Sequence, residues 1–221
     1  METPPVPDGC VRDGFGLGAA GCHGRDCRRK SWLDQMEIGV VFAAYGLRLV
    51  PSYLAADPSG AAAIAASVGF PVALKICCLD ITPKSDVSGV ALNLEYTYRV
   101  RQEAIAMLVE DPVFGALVAF GQGGASINIQ HDSSLKLPPL NSLLARRLIA
   151  RTRVSRLLRV YRGQGAPNIE TVVELLIRLG LLAADHPEIR QLEINPLLVD
   201  ADGTRALDAR LRIAPAQSTE G

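Results

Sequence analysis

Leu192-Glu193-Ile194-Asn195-Pro196-Leu197-Leu198-Val199, then Asp202-Gly203, then Ala206-Leu207-Asp208-Ala209-Arg210, is the stretch on which the fold is read. Two alternating apolar runs flank an Asp-Gly pair, the pattern of a hairpin with a two-residue turn. With Asp202-Gly203 in the turn, Ala201 faces Thr204, Val199 faces Ala206 and Leu197 faces Asp208. Asn195 lies two residues from Leu197, so it projects from the face of Asp208 as its diagonal neighbour, about 7–8 Å away at the backbone. An amide and a carboxylate leaning across that gap can share one cation. The pair suits Mg²⁺, which usually takes one or two protein oxygens and completes its shell with phosphate and water. The competing reading is a polar outer face on an amphipathic hairpin that binds nothing.

Working outward, 221 residues suffice for one domain or for two small lobes around a cleft. The chain is 48% hydrophobic and 21% charged, which favours a packed core over bulk disorder. Its 23 basic and 23 acidic residues cancel, so no global field draws it to nucleic acid or to an anionic membrane. No apolar run has the length of a bilayer span and no signal-peptide core precedes residue 30, so the expected location is the cytoplasm. Five cysteines, two of them adjacent at Cys77-Cys78, do not form a disulfide framework. Cys10, Cys22, His23 and Cys27 fit no standard zinc spacing. Gly14, Gly16 and Gly18 lack the preceding strand that a dinucleotide loop requires. Residues 1–30 therefore read as a disordered tail, and residues 214–221 as a C-terminal one.

Between the tails, helix and strand alternate. Ser31 with Asp34 suggests a capping-box start for a helix running to Tyr45 and stopping at Gly46. Leu47 to Val50 is a short strand ended by Pro51. Asp57-Pro58 is an N-cap and N1 pair for an alanine-rich helix that closes at Gly69. Strands follow at Val72 to Ile76 and Val87 to Leu94, completing a first lobe over residues 31–94. The second lobe, residues 95–213, holds strands at Gln102 to Val109, Ala116 to Phe120 and Ala125 to Gln130. Helices at Asn141 to Arg159 and Asn168 to Leu182 then precede the terminal hairpin. The arginines of the first of these helices read as a solvated face, with a partner surface as the alternative. The pattern is that of an α/β (α+β) protein in two lobes.

Several short motifs recur in one order. They are Ala44-Tyr45-Gly46-Leu47, Gly69-Phe70-Pro71-Val72-Ala73-Leu74-Lys75-Ile76, Lys84-Ser85-Asp86-Val87-Ser88-Gly89-Val90, Asp111-Pro112-Val113-Phe114-Gly115, Gly121-Gln122-Gly123-Gly124, Tyr161-Arg162-Gly163 and Glu193-Ile194-Asn195-Pro196. Together they resemble the ATP-grasp domain of the NDP-forming acyl-CoA synthetases, which include ADP-forming acetyl-CoA synthetase and the succinyl-CoA synthetase beta subunit. The resemblance runs from Trp32 to Ile213 and implies a two-lobed ATP-grasp-like fold that binds ATP with Mg²⁺.

It also implies roles for single residues. Lys75, mid-strand between Ala73 and Cys77, either snorkels from an edge or enters a cleft. The resemblance matches it to a strand lysine that contacts nucleotide phosphates. Lys84, Ser85, Ser88 and Gly89 fall where the family has a flexible loop over the phosphates, and small residues let backbone N–H groups approach anions. Glu103 corresponds to a carboxylate near the triphosphate and metal, against the alternative of an exposed strand residue. Asn195 and Asp208 match the asparagine and aspartate that hold Mg²⁺.

The chain also departs from the family. Pro83 stands where ADP-forming relatives carry a histidine, and proline has no nucleophilic nitrogen for a phosphate relay. Asn128 replaces a carboxylate, and Ser88-Gly89 replaces a Gly-Gly. Only residues 95–110 separate Leu94 from Asp111. The family fits a helix, an adenine-gripping hinge strand and the glutamate-bearing strand there, elements that need roughly 22 residues before any turns. The helix and the hinge strand are the expected losses, leaving an incomplete domain with weak affinity for ATP.

Two functions follow. The first is an ATP- and Mg-binding subunit or fragment of an acid–thiol ligase, acting through phosphoryl transfer beside a CoA-binding partner subunit or fused domain. The second is a degenerate, non-catalytic remnant that serves as an interaction module or has lost nucleotide binding.

Overall fold

The computed structural model describes residues 32–69, 72–75, 90–92, 102–123, 132–158 and 167–214. The expectations for residues 1–30, Pro83, Lys84, Ser85, Ser88, Gly89, the strand Ala125 to Gln130 with Asn128, and residues 215–221 lie outside the described residues. The chain divides into two compact units, Pro51–Val100 and Met1–Val50 with Arg101–Gly221. This grouping differs from the 31–94 and 95–213 lobes by assigning the first helix to the larger unit.

That helix, α1 (Gln35–Ala44), is capped by Asp34, whose side chain accepts from the N–H groups of Met36 and Glu37. Glu37 returns the bond by accepting from the Asp34 N–H at 2.7 Å. The capping box is therefore Asp34 with Glu37, not Ser31 with Asp34, because Trp32 and Leu33 are already committed to another strand. Trp32 bridges Arg212, and the Leu33 N–H donates to the Leu211 carbonyl at 2.9 Å.

In the smaller unit, α2 (Pro58–Val68) follows its local signals. Asp57 accepts from the Gly60 N–H, Pro58 occupies N1, and Gly69 ends the helix at φ 89°. In the same unit β1 (Ala73–Lys75) pairs antiparallel with β2 (Val90–Leu92), setting Lys75 against Val90.

The larger unit is built on an antiparallel sheet. Its strands are β3 (Gln102–Asp111), β4 (Gly115–Gln122), β5 (Ser133–Lys136), β6 (Ile189–Asp200), β7 (Gly203–Ala206) and β8 (Ala209–Ile213). The order is β5-β4-β3-β6-β7, with β8 also paired to β6. Residues 48–50 add to β7, where Ala206 N–H donates to Arg48 and Val50 N–H to Ala206. Three helices, α3 (Ser142–Ala150), α4 (Val154–Leu157) and α5 (Ile169–Asp185), complete the unit.

One sheet face carries Ala104, Ala106, Leu108, Phe120, Leu192 and Ile194, which join Phe42 of α1 and Leu176 and Leu179 of α5 in a single core. Fully burying a large apolar side chain such as Phe42 or Leu192 contributes roughly 1.5–3 kcal/mol. The other face carries a small cluster of Ile105, Met107 and Ala119.

The expected helix from Asn141 to Arg159 is broken in two. Thr152 is buried and its hydroxyl donates to the Ile149 carbonyl, closing α3. The Asp132 carboxylate then accepts from the N–H groups of Arg153 and Val154, supplying α4 with a cap from another part of the chain. Among the described residues no helix is long and apolar enough to cross a membrane.

Candidate functional site

The site lies where β6 meets the junction of β7 and β8. The turn before it is Ala201-Asp202, not Asp202-Gly203, since Asp200 pairs with Gly203 and Val199 with Thr204. The Asp200 carboxylate decides this by accepting from the N–H groups of Asp202 at 2.9 Å and Gly203 at 3.1 Å. Gly203 then opens β7 at φ 126°, in the region that favours glycine.

This register corrects the geometry expected for Asn195 and Asp208. Leu197 pairs with Ala206 and Ile194 with Ala209, so Asn195 and Asp208 are directly opposite rather than diagonal. The Asn195 N–H donates to the Asp208 carbonyl at 3.1 Å, and the Leu207 N–H to the Pro196 carbonyl at 3.0 Å.

Simple alternation also fails here. Ile194 and Leu197 both face the core although three residues apart, and so do Ala206 and Ala209. Each strand therefore carries one residue more than alternation allows at the same level, Asn195-Pro196 against Leu207-Asp208, while the pairing between the two strands keeps its register. The β3–β6 ladder registers the same step, passing from Ala104↔Leu197 to Ala106↔Ile194. Bulges of this kind re-aim side chains. Asn195 thus leaves the face of Leu197, and its amide donates to Glu193 Oε1 at 3.3 Å. Glu193, between core residues Leu192 and Ile194, stands opposite Met107 and Arg210 on the non-core face.

The Asp208 carboxylate is held as well. Its Oδ1 accepts from its neighbour's N–H, Ala209, and from Gln35 Nε2, both at 3.0 Å. Asn195 and Asp208 are each half-buried. Among the described residues no three Asp, Glu, His or Cys side chains gather as a metal cluster. An amide and a carboxylate are hard oxygen donors that fit a divalent cation whose remaining ligands are phosphate and water.

Glu103 is exposed on β3 and shares the strand parity of Ile105 and Met107, which places it on the same non-core face, opposite Leu198. Lys75 ends β1 in the smaller unit. Two participants escaped the sequence reading. Glu193 was signalled by its i, i+2 relation to Asn195. Nothing local pointed to Gln35.

The ATP-grasp domain family matches residues 26–110 and 99–213. The chain belongs to the ATP-grasp family. The acetate–CoA ligase (ADP-forming) I of Archaeoglobus fulgidus is 30% identical over 201 residues, covering 77% of this ATP-grasp chain and 29% of that enzyme. The beta subunit of the acetate–CoA ligase (ADP-forming) I of Pyrococcus furiosus is 27% identical, covering 81% and 90%. Among solved structures, a dinucleotide-forming acetyl-CoA synthetase 1 from Ca. Korarchaeum cryptofilum matches with a TM-score of 0.74 and 28% identity, covering 84% and 94%. That structure is a complex with coenzyme A and Mg-AMPPCP.

The ATP-grasp chain thus spans under a third of the A. fulgidus enzyme but most of a free-standing beta subunit. It corresponds to the beta-subunit portion of the ADP-forming acyl-CoA synthetases. The family match breaks into pieces that overlap over residues 99–110, within the shortened interval before Asp111. The 201 positions aligned with the A. fulgidus enzyme also exceed 77% of a 221-residue chain, so that relative carries residues missing here.

Proposed function

We propose that this ATP-grasp chain is the nucleotide- and Mg²⁺-binding part of an acid–thiol ligase, working with a CoA-binding partner subunit or fused domain. The observation that carries the reading is the register of β6 against β7 and β8, which sets Asn195 opposite Asp208. These two residues would hold Mg²⁺ through the amide and carboxylate oxygens. When bound, the ion would neutralise phosphate charge during phosphoryl transfer, a reaction governed by positioning and electrostatics. Lys75 would add a point charge for a phosphate. By the resemblance, Lys84, Ser85, Ser88 and Gly89 would supply close backbone contacts to phosphate, and Glu103 would be a carboxylate for the triphosphate and metal. Pro83 cannot accept a phosphate, so no relay passes through that position.

A second reading, a remnant without productive nucleotide binding, is favoured by the shortened interval between Leu94 and Asp111 and by Pro83. Thermal unfolding with ATP and Mg²⁺ separates the two. A ligand at 100 times its dissociation constant stabilises by about 2.7 kcal/mol, and Asp208→Asn is expected to remove the Mg²⁺-dependent part. No ATP-dependent shift at millimolar nucleotide would select the remnant.

A further inference from the structure

We infer that Gln35, the first residue of α1, is a positioning residue for Asp208 toward a divalent cation. The inference rests on the proposed metal site and adds a residue from the other end of the chain. Gln35 Nε2 donates to Asp208 Oδ1 at 3.0 Å and to the Ala209 carbonyl at 2.8 Å. One amide NH₂ therefore spans the end of the bulge and the start of β8, tying carboxylate to backbone.

The position of Gln35 is itself fixed. Leu33 donates to Leu211, the Arg212 guanidinium carbon lies 5.9 Å from the centroid of the Trp32 ring, and Asp34 caps the helix that Gln35 begins. The backbone pairing of Asp208 with Asn195, in the gap between β7 and β8, does not by itself orient the carboxylate. Its Oδ1 is instead pinned by two donors, the Ala209 N–H and Gln35. An aspartate has two torsions, and anchoring one oxygen from two directions removes the rotational freedom that a metal ligand must otherwise surrender on binding. Outer-shell partners of this kind commonly change metal affinity by 10–100-fold when lost.

The test uses the full chain and four proteins: wild type, Gln35→Met, Asp208→Asn and the double variant. Methionine keeps the length and helix propensity of glutamine but cannot donate. Mn²⁺ is titrated in saturating ATP and followed by electron paramagnetic resonance, with melting temperatures recorded without metal. Gln35→Met is expected to weaken Mn²⁺ about tenfold with little change in melting temperature. In the double variant the loss is expected to be no larger than in Asp208→Asn alone, since no carboxylate remains to be positioned. Additive losses, or an unchanged affinity in Gln35→Met beside a weakened Asp208→Asn, would overturn the role of Gln35 and leave the metal site standing. Wild-type affinity retained in Asp208→Asn, or no Mn²⁺ binding to wild type, would overturn the metal site and the inference together.

Discussion

Tyr45 places an ionisable hydroxyl in a largely buried setting. Its ring is buried, its hydroxyl donates to Asp185 Oδ2 at 2.9 Å, and His186 meets it edge-on. Burial foremost, then the hydrogen bond and charge of Asp185 and the charge of Glu188, raises its pKa well above the ordinary value. A raised folded pKa means a contribution to stability that is fully present below pH 10 and lost as pH rises beyond it, because only the unfolded chain ionises readily there. The stability of wild type relative to Tyr45→Phe is therefore expected to stay level up to pH 10. Above it, the difference should fall by at most about 1.4 kcal/mol per pH unit. Chemical denaturation of both proteins from pH 8 to 11.5 checks this, and a difference that stays level throughout contradicts it.

At the scale of elements, the C-terminus of α1 is secured from α5. Arg178 donates to the Tyr45 carbonyl at 2.9 Å and to Glu174 at 2.5 Å, so a cation satisfies an orphan carbonyl at the helix end. Its guanidinium lies against Gly46, where an added Cβ would sit 1.9 Å from Nη1 at φ 62°. Gly46→Ala meets two penalties, left-handed backbone at about 1–2 kcal/mol and displacement of the Arg178 bond at about 1 kcal/mol. A loss of roughly 2–3 kcal/mol is expected in denaturant unfolding. Arg178→Met in the Gly46→Ala background should then cost little more, because the bond is already broken. Full additivity of the two changes would show that the glycine is not held for the arginine.

At the scale of the whole molecule, the shortened interval before β3 bears on which ligands the chain can tell apart. The resemblance assigns base recognition to a hinge strand that this interval is expected to lack, whereas the proposed phosphate and metal contacts come from other residues. Calorimetry is expected to give weak binding of ATP and GTP, with dissociation constants within about threefold of each other. A preference for ATP of tenfold or more, about 1.4 kcal/mol, would mean that other residues grip the base.

The sequence by itself determined whatever rests on neighbours a few residues apart. Asp57, Pro58 and Gly69 delimit α2 because caps and helix stops act within one turn. The strand character of β3 is legible for the same reason, and the ordered motifs carry the family. Only the tertiary structure decided the rest. Asp200 moves the hairpin turn by capturing two N–H groups, and paired bulges reverse the face of Asn195 relative to Leu197. Asp132 splits a helix 21 residues away, and Gln35 reaches Asp208 across 173 residues. Such contacts leave no local periodicity, since each depends on a side chain that the folded sheet alone brings within hydrogen-bonding distance.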